Sequence, residues 1–113
     1  EQGNSYALRP RFFEYMSWIR TQPCRVAELD PAHRCDGGVE ADHIGEIGTR
    51  GGGRKCDDRE TIPLCSAAHR DRGARAGFFA GWDTARLRAW ADAETARYRE
   101  LYAARRGGLD AIF

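Results

Sequence analysis

Val39-Glu40-Ala41-Asp42-His43-Ile44 and Thr61-Ile62-Pro63-Leu64-Cys65-Ser66-Ala67-Ala68-His69 decide how this chain folds. Each opens as a short apolar run of strand length, and the first sets an acidic residue beside a histidine near its end. In the second, Ser66 has the chemistry of a helix N-cap, which places His69 at the third helical position. Gly48-Thr49-Arg50-Gly51-Gly52-Gly53-Arg54, between the strands, reads as a flexible connection. Strand, strand, helix in that order predicts a ββα unit over residues 38–73.

The flanks follow from periodicity and breakers. Residues 1–9 read as a mobile arm. From Pro10, a first-turn residue, the apolar Phe12, Tyr15, Met16 and Ile19 recur at helical offsets until Pro23 ends them. Residues 24–38, with Asp30-Pro31 and Gly37-Gly38, read as loop. The helix after Ser66 is expected to stop near Gly73, with Phe78, Phe79 and Trp82 forming an apolar patch at a turn. Asp83 caps the last helix, and Trp82 and Leu87 are placed for a hydrophobic staple. Leu87, Trp90, Ala91, Tyr98, Leu101 and Tyr102 form its apolar stripe, arginines dominate its other faces, and Gly107-Gly108 stop it. The expected architecture is one α+β domain, the ββα core lying between an N-terminal helix and a long C-terminal helix over 83–106.

The bulk numbers agree with one small core. At 113 residues and 12.7 kDa, with 42% hydrophobic and 11% aromatic content, the chain is built to fold as a single domain. A net charge of +1 announces no general basic field. Arginine nevertheless supplies all the cations but Lys55, and arginine binds phosphates bidentately. No apolar run is long enough to span a membrane, and no signal segment opens the chain. Opening on Glu1 rather than Met, the sequence reads as a piece of a longer product.

Asp42 and His69 are the candidate ligands for one divalent metal, with His43 left free to take a proton from water. Histidine titrates near neutrality, which suits a general base. Two protein ligands leave room for phosphate oxygens and water, which suits Mg²⁺ or Mn²⁺, and also a catalytic Zn²⁺. This is the minimal kit for hydrolysing a phosphodiester. Strict strand alternation would separate Asp42 from His43, so a bend at Gly45 or a bulge is expected to bring them together. Asp42 orienting His43 from behind is the alternative role. Arg50, Arg54, Lys55, Arg59, Arg70 and Arg72 surround the site in sequence and could neutralise DNA phosphates. Asp57, Asp58 and Glu60 read first as solvated loop charges, with Asp58 the candidate for a catalytic role.

Cys24, Cys35, Cys56 and Cys65 leave three readings open. They could form two disulfides, hold a structural Zn²⁺, or stay as buried thiols. His33 reads as a loop residue and a reserve zinc ligand.

The pattern Asp42-His43 … Pro63-Leu64-Cys65-x-x-x-His69 resembles the HNH (ββα-metal) endonucleases. Trp18-Ile19-Arg20-Thr21-Gln22-Pro23-Cys24, Gly51-Gly52-Gly53-Arg54-Lys55-x-x-Asp58 and Thr61-Ile62-Pro63-Leu64-Cys65 resemble, more narrowly, the phage-encoded family that includes the Ref recombination-enhancement nucleases. The likeness covers residues 10–83. It implies a metal-dependent DNA endonuclease, with His43 as general base, His69 and Asp42 as metal ligands, and 5′-phosphate and 3′-hydroxyl products. It also implies DNA as partner, no membrane, and the cytoplasm of a bacterial or phage-infected cell.

The departures from that pattern are specific. The motif's middle Asn is missing, since Asn4 is the chain's only asparagine. Glu60 lies near its place by spacing, while Asp58 fits the narrower family. Ala68 replaces the first of two late histidines, and the early Cys-x-x-Cys is absent. Cys56 is read as the fourth zinc ligand, giving Cys24, Cys35, Cys56 and Cys65. The rival readings are a DNA-binding module on the same fold without cleavage, and a disulfide-linked interaction domain.

Overall fold

The computed structural model describes residues 12–44 and 58–110, with side chains to 105. The order is α1 (Phe13–Arg20), α2 (Arg25–Leu29), β1 (Val39–Asp42), β2 (Ile62–Cys65), α3 (Ser66–Ala74), a 3₁₀ turn (Gly77–Phe79) and α4 (Thr84–Asp110). The fold class is α+β, as the alternation of short apolar runs with helical periodicity requires. Residues 1–11 and 45–57, and with them the expected arm, the glycine-rich connection and the bend at Gly45, lie outside the described residues.

β1 and β2 pair antiparallel, with Val39 opposite Cys65, Glu40 opposite Leu64, Ala41 opposite Pro63 and Asp42 opposite Ile62. Both strands are edges, so Pro63 costs little by lacking a ladder donor. A two-stranded ribbon is marginal in water by itself. Here every residue of β2 is buried, because α1, α2, α3 and α4 all pack on it. Ile62, Leu64, Ile19, Val26 and Leu87 are completely or almost completely removed from solvent and form the centre of the core.

α4 ties the two ends together. Its first half sets Trp90 against Phe79 and Trp82, with ring centroids 5.4 and 5.7 Å apart. Its second half carries Tyr102 onto Tyr15 and Trp18, at 4.9 and 5.1 Å. Arg25 of α2 joins it by a 2.8 Å ion pair to Glu94, which is only 7% exposed.

Several local expectations need correction. Residues 25–29, expected as loop, form α2, a single turn anchored by buried Val26. The N-cap of α3 is Cys65, whose sulfur accepts from the Ala68 amide at 3.4 Å, and Ser66 is already helical. His69 is therefore the fourth residue of α3. The helix runs past Gly73 and closes at Arg75, which takes the left-handed conformation (φ 55°). Ala76 N–H then bonds to Asp71 O and Arg75 N–H to Arg72 O, the paired bonds of a Schellman ending. α4 continues through Gly107-Gly108 to Asp110, since a helical glycine costs only about 1 kcal/mol without a left-handed turn to stop it. Asp83 does cap α4, accepting from the Arg86 amide at 2.8 Å.

Leu101 was placed on the apolar stripe, yet it is 42% exposed while Leu87 is fully buried. The α4 stripe narrows toward its end because only α1 remains to cover it. Leu87→Ala should therefore cost about 2–5 kcal/mol by cavity formation, and Leu101→Ala less than about 0.5 kcal/mol. Urea unfolding of the two variants, with unchanged m-values, checks this contrast.

Candidate functional site

β1 presents Glu40 and Asp42, two residues apart, to the same side, where α3 crosses. Its residues Ser66, His69 and Arg72 lie at helical spacing and meet those carboxylates. Glu40 Oε1 accepts from His69 Nδ1 at 2.7 Å, and Glu40 Oε2 accepts from the Ser66 hydroxyl at 2.8 Å. These bonds hold the Glu40 carboxyl below the usual carboxylate range, the His69 bond contributing most. Gly37 makes room for Ser66: its φ is +78°, and a Cβ there would stand 2.5 Å from Ser66 Oγ.

With Nδ1–H donated to Glu40, the lone pair of His69 lies on Nε2. That atom is 3.7 Å from Asp42 Oδ1, too far for a hydrogen bond. Two metal–ligand bonds of about 2.1 Å span such a gap. A carboxylate on the far nitrogen of a histidine is also what fixes a metal-ligating tautomer. Asp42 is 3% exposed and is held by Arg72, Nε to Oδ2 at 2.7 Å and Nη2 to Oδ1 at 2.8 Å. The donor set therefore fits a divalent ion on His69 Nε2 and Asp42 Oδ1.

His43, one residue beyond β1, finds a different partner. Its Nε2 lies 3.0 Å from Asp58 Oδ1. Asp58, expected among solvated loop charges, is 1% exposed. Its Oδ2 accepts from the Phe12 amide at 3.0 Å, and its carbonyl accepts from the Thr61 hydroxyl at 2.9 Å. A carboxylate this well held fixes the ring, so His43 donates from Nε2 and Nδ1 becomes the basic nitrogen. No bulge interrupts the β1–β2 register, which ends at Asp42 opposite Ile62. Both histidine–carboxylate pairs involve residues at or next to β1.

A second cluster joins the start of α2, the loop before β1 and the β2–α3 junction. Ligand atoms of Cys24, His33, Cys35 and Cys65 all lie within 4.8 Å of one another. His33 Nε2 is 3.3 Å from Cys65 Sγ. Burial pushes the Cys65 thiol up, but the His33 bond and the Ala68 and Asp36 amides outweigh it and bring the thiol down to about 6. Burial and the neighbouring Cys65 and Cys24 sulfurs push Cys35 up. Cys24, Cys35 and Cys65 are all free thiols. Three sulfurs and one imidazole nitrogen at this spacing fit a tetrahedral ion, so the cluster could hold a metal. His33 thus supplies the donor that sequence reading sought in Cys56, which lies outside the described residues.

Of the expected phosphate contacts, Arg59 and Arg70 are exposed, and Arg70 reaches Asp36 at 3.3 Å. Arg72 is engaged on Asp42. Arg50, Arg54 and Lys55 lie outside the described residues. Glu60 is half-buried. Glu40 was not singled out from sequence; its position two residues before Asp42 on one strand face was the available signal. No helix among the described residues is long and apolar enough to cross a membrane. No family model, no curated protein and no solved structure matches this chain.

Titration with Co²⁺ distinguishes the two ligand sets. A thiolate charge-transfer band should grow to one equivalent, disappear in Cys65→Ser and weaken in His33→Ala. Cys56→Ser should retain it, because four donors already complete a tetrahedron.

Proposed function

We propose that this chain is a metal-dependent endonuclease of the HNH type, hydrolysing DNA phosphodiester bonds. One observation carries the reading: at the end of β1 two histidines, His43 and His69, are each fixed by a carboxylate. Glu40 is 2.7 Å from His69 Nδ1, and Asp58 is 3.0 Å from His43 Nε2. One pair prepares a ligand nitrogen and the other a base nitrogen. Asp42 and His43 are consecutive residues, so both pairs are anchored at one end of β1.

His69 Nε2 and Asp42 Oδ1 would hold a divalent cation, Mg²⁺ or Mn²⁺ or alternatively Zn²⁺, which supplies positive charge beside the phosphate oxygens. The other roles belong to the chain itself. Asp58 keeps the His43 ring oriented. His43 Nδ1 takes a proton from water, and the hydroxide oxygen attacks phosphorus. The P–O3′ bond opposite breaks, leaving a 5′-phosphate and a 3′-oxygen that solvent protonates. Arg72 holds the Asp42 carboxylate in place, while Arg59 and Arg70 contact neighbouring phosphates without reading sequence.

The cluster of Cys24, His33, Cys35 and Cys65 is read as a structural Zn²⁺ site, closed by four protein ligands. Thiols kept for a metal belong to a reducing compartment, the cytoplasm of a bacterial or phage-infected cell. A DNA-binding module without cleavage is the second reading. The two Arg72 bonds to Asp42, at 2.7 and 2.8 Å, favour it, because they satisfy that carboxylate without a cation.

Nicking of supercoiled plasmid in Mg²⁺, Mn²⁺, Zn²⁺ or EDTA tests both. Divalent-dependent nicking should fall at least about 100-fold in His43→Ala and about 10- to 100-fold in Glu40→Gln. Folded protein that shifts DNA yet nicks in no metal is a binding module. Activity that survives His43→Ala places the base elsewhere.

A further inference from the structure

The start of α1 and the second half of α4 enclose a recess of about 630 Å³, lined by Phe12, Phe13, Tyr15, Arg59, Arg99 and Tyr102 among others. A recess of this size takes a nucleotide-sized ligand. A second one, about 510 Å³, shares Phe13 and Tyr102 and extends the groove to Trp18 and Arg105. Phe13 is 64% exposed, although Tyr15 and Ile19 of the same helix are buried.

Aromatic faces and guanidinium groups alternate along this groove. Arg59 lies over the Phe12 ring, 4.4 Å from its centroid, and Arg105 over Tyr102 at 5.3 Å. Arg99 Nη1 donates to the Arg59 carbonyl at 3.4 Å, so two cations converge at one end. Among the described lining residues, Glu14 is the single acidic one. Tyr15 is 4% exposed, and its hydroxyl is buried without a hydrogen-bond partner. A buried polar atom left in this state calls for a partner that a ligand can provide.

The groove is also linked to the His43 site through Asp58. The Phe12 amide donates to Asp58 Oδ2, Arg59 follows Asp58 in sequence, and Asp58 Oδ1 holds His43. Stacking surfaces interleaved with cations match a nucleic-acid strand whose bases are unpaired, since duplex bases hide their faces in their own stack. The cationic excess matches a polyanion better than a second copy of this chain.

We propose that the groove between α1 and α4 binds single-stranded DNA, stacking bases on Phe13 and Tyr102, binding phosphates with Arg59, Arg99 and Arg105, and leading the strand to His43. Binding rests on the groove alone. Delivery to His43 rests on the endonuclease reading.

Fluorescence anisotropy with labelled dT15, a 15-base-pair duplex and rU15, without added divalent metal, tests this on the full chain. The wild type should bind dT15 at least about tenfold more tightly than the duplex. Phe13→Ala should weaken dT15 binding about 5- to 50-fold, through lost stacking. Arg105→Ala should reduce the slope of log affinity against log salt by about 0.7. Leu101→Ala, exposed on the same helix outside the groove, should change neither.

No dT15 binding, equal or tighter duplex binding, or an unchanged affinity and salt slope in both groove variants overturns the proposal. Tighter rU15 than dT15 binding overturns the assignment to DNA. A Phe13→Ala effect confined to sedimentation overturns it in favour of self-association. If Phe13→Ala weakens dT15 binding while plasmid is nicked in no metal, the endonuclease reading fails and the groove stands. If plasmid is nicked but groove variants bind dT15 normally, the groove alone fails.

Discussion

The pairing of β1 with β2 is the constraint on which the rest depends. Two short strands cannot hold themselves together in water, so this ribbon exists because helices bury it. β2 is covered on both faces, and that requirement brings α1, α2, α3 and α4 onto four residues. β1 is covered less completely, although α1 and α3 also pack on it. Only Asp42 of its residues is buried, which leaves polar side chains free to project from a rigid strand. The stable member of the pair thus supports a partner that carries the polar groups.

Those polar groups are expensive to bury and are accordingly satisfied. Asp42 and Asp58, 3% and 1% exposed, would each be strongly destabilising alone. Arg72 meets the first in a two-bond fork, and the Phe12 amide and His43 meet the second. Each arrangement links elements far apart in sequence, so the site and the fold reinforce one another. Asp58 is the most connected case. It fixes His43, anchors the entry to α1 and sits beside Arg59, which joins the proposed base to the aromatic groove.

Much of the architecture was legible beforehand, where local chemistry and burial agree. The ββα order, the Asp83 cap and the Leu87, Ala91 and Tyr98 stripe all follow from periodicity that packing then honours. Errors arose where a local preference met a stronger tertiary one. Ser66 is an excellent N-cap by type, but its hydroxyl goes to Glu40, and the Cys65 sulfur caps α3 instead. α2 is too short to show a period and is held by Val26 and by the Arg25–Glu94 pair, neither visible locally. Leu101 fits the stripe, yet no element reaches it.

The sequence by itself singled out the candidate residues: Asp42, His43 and His69 stand out by type and spacing, and Asp58, Cys24, Cys35 and Cys65 are among the candidates. Only the tertiary structure decided how they combine. It set Glu40 behind His69, Asp58 behind His43, and His33 among the three cysteines. Strand alternation is written in the sequence, but the identity of each partner is not. Asp58 lies 15 residues from His43, Glu40 29 from His69 and His33 32 from Cys65, and packing around β2 brings each pair within 3.3 Å.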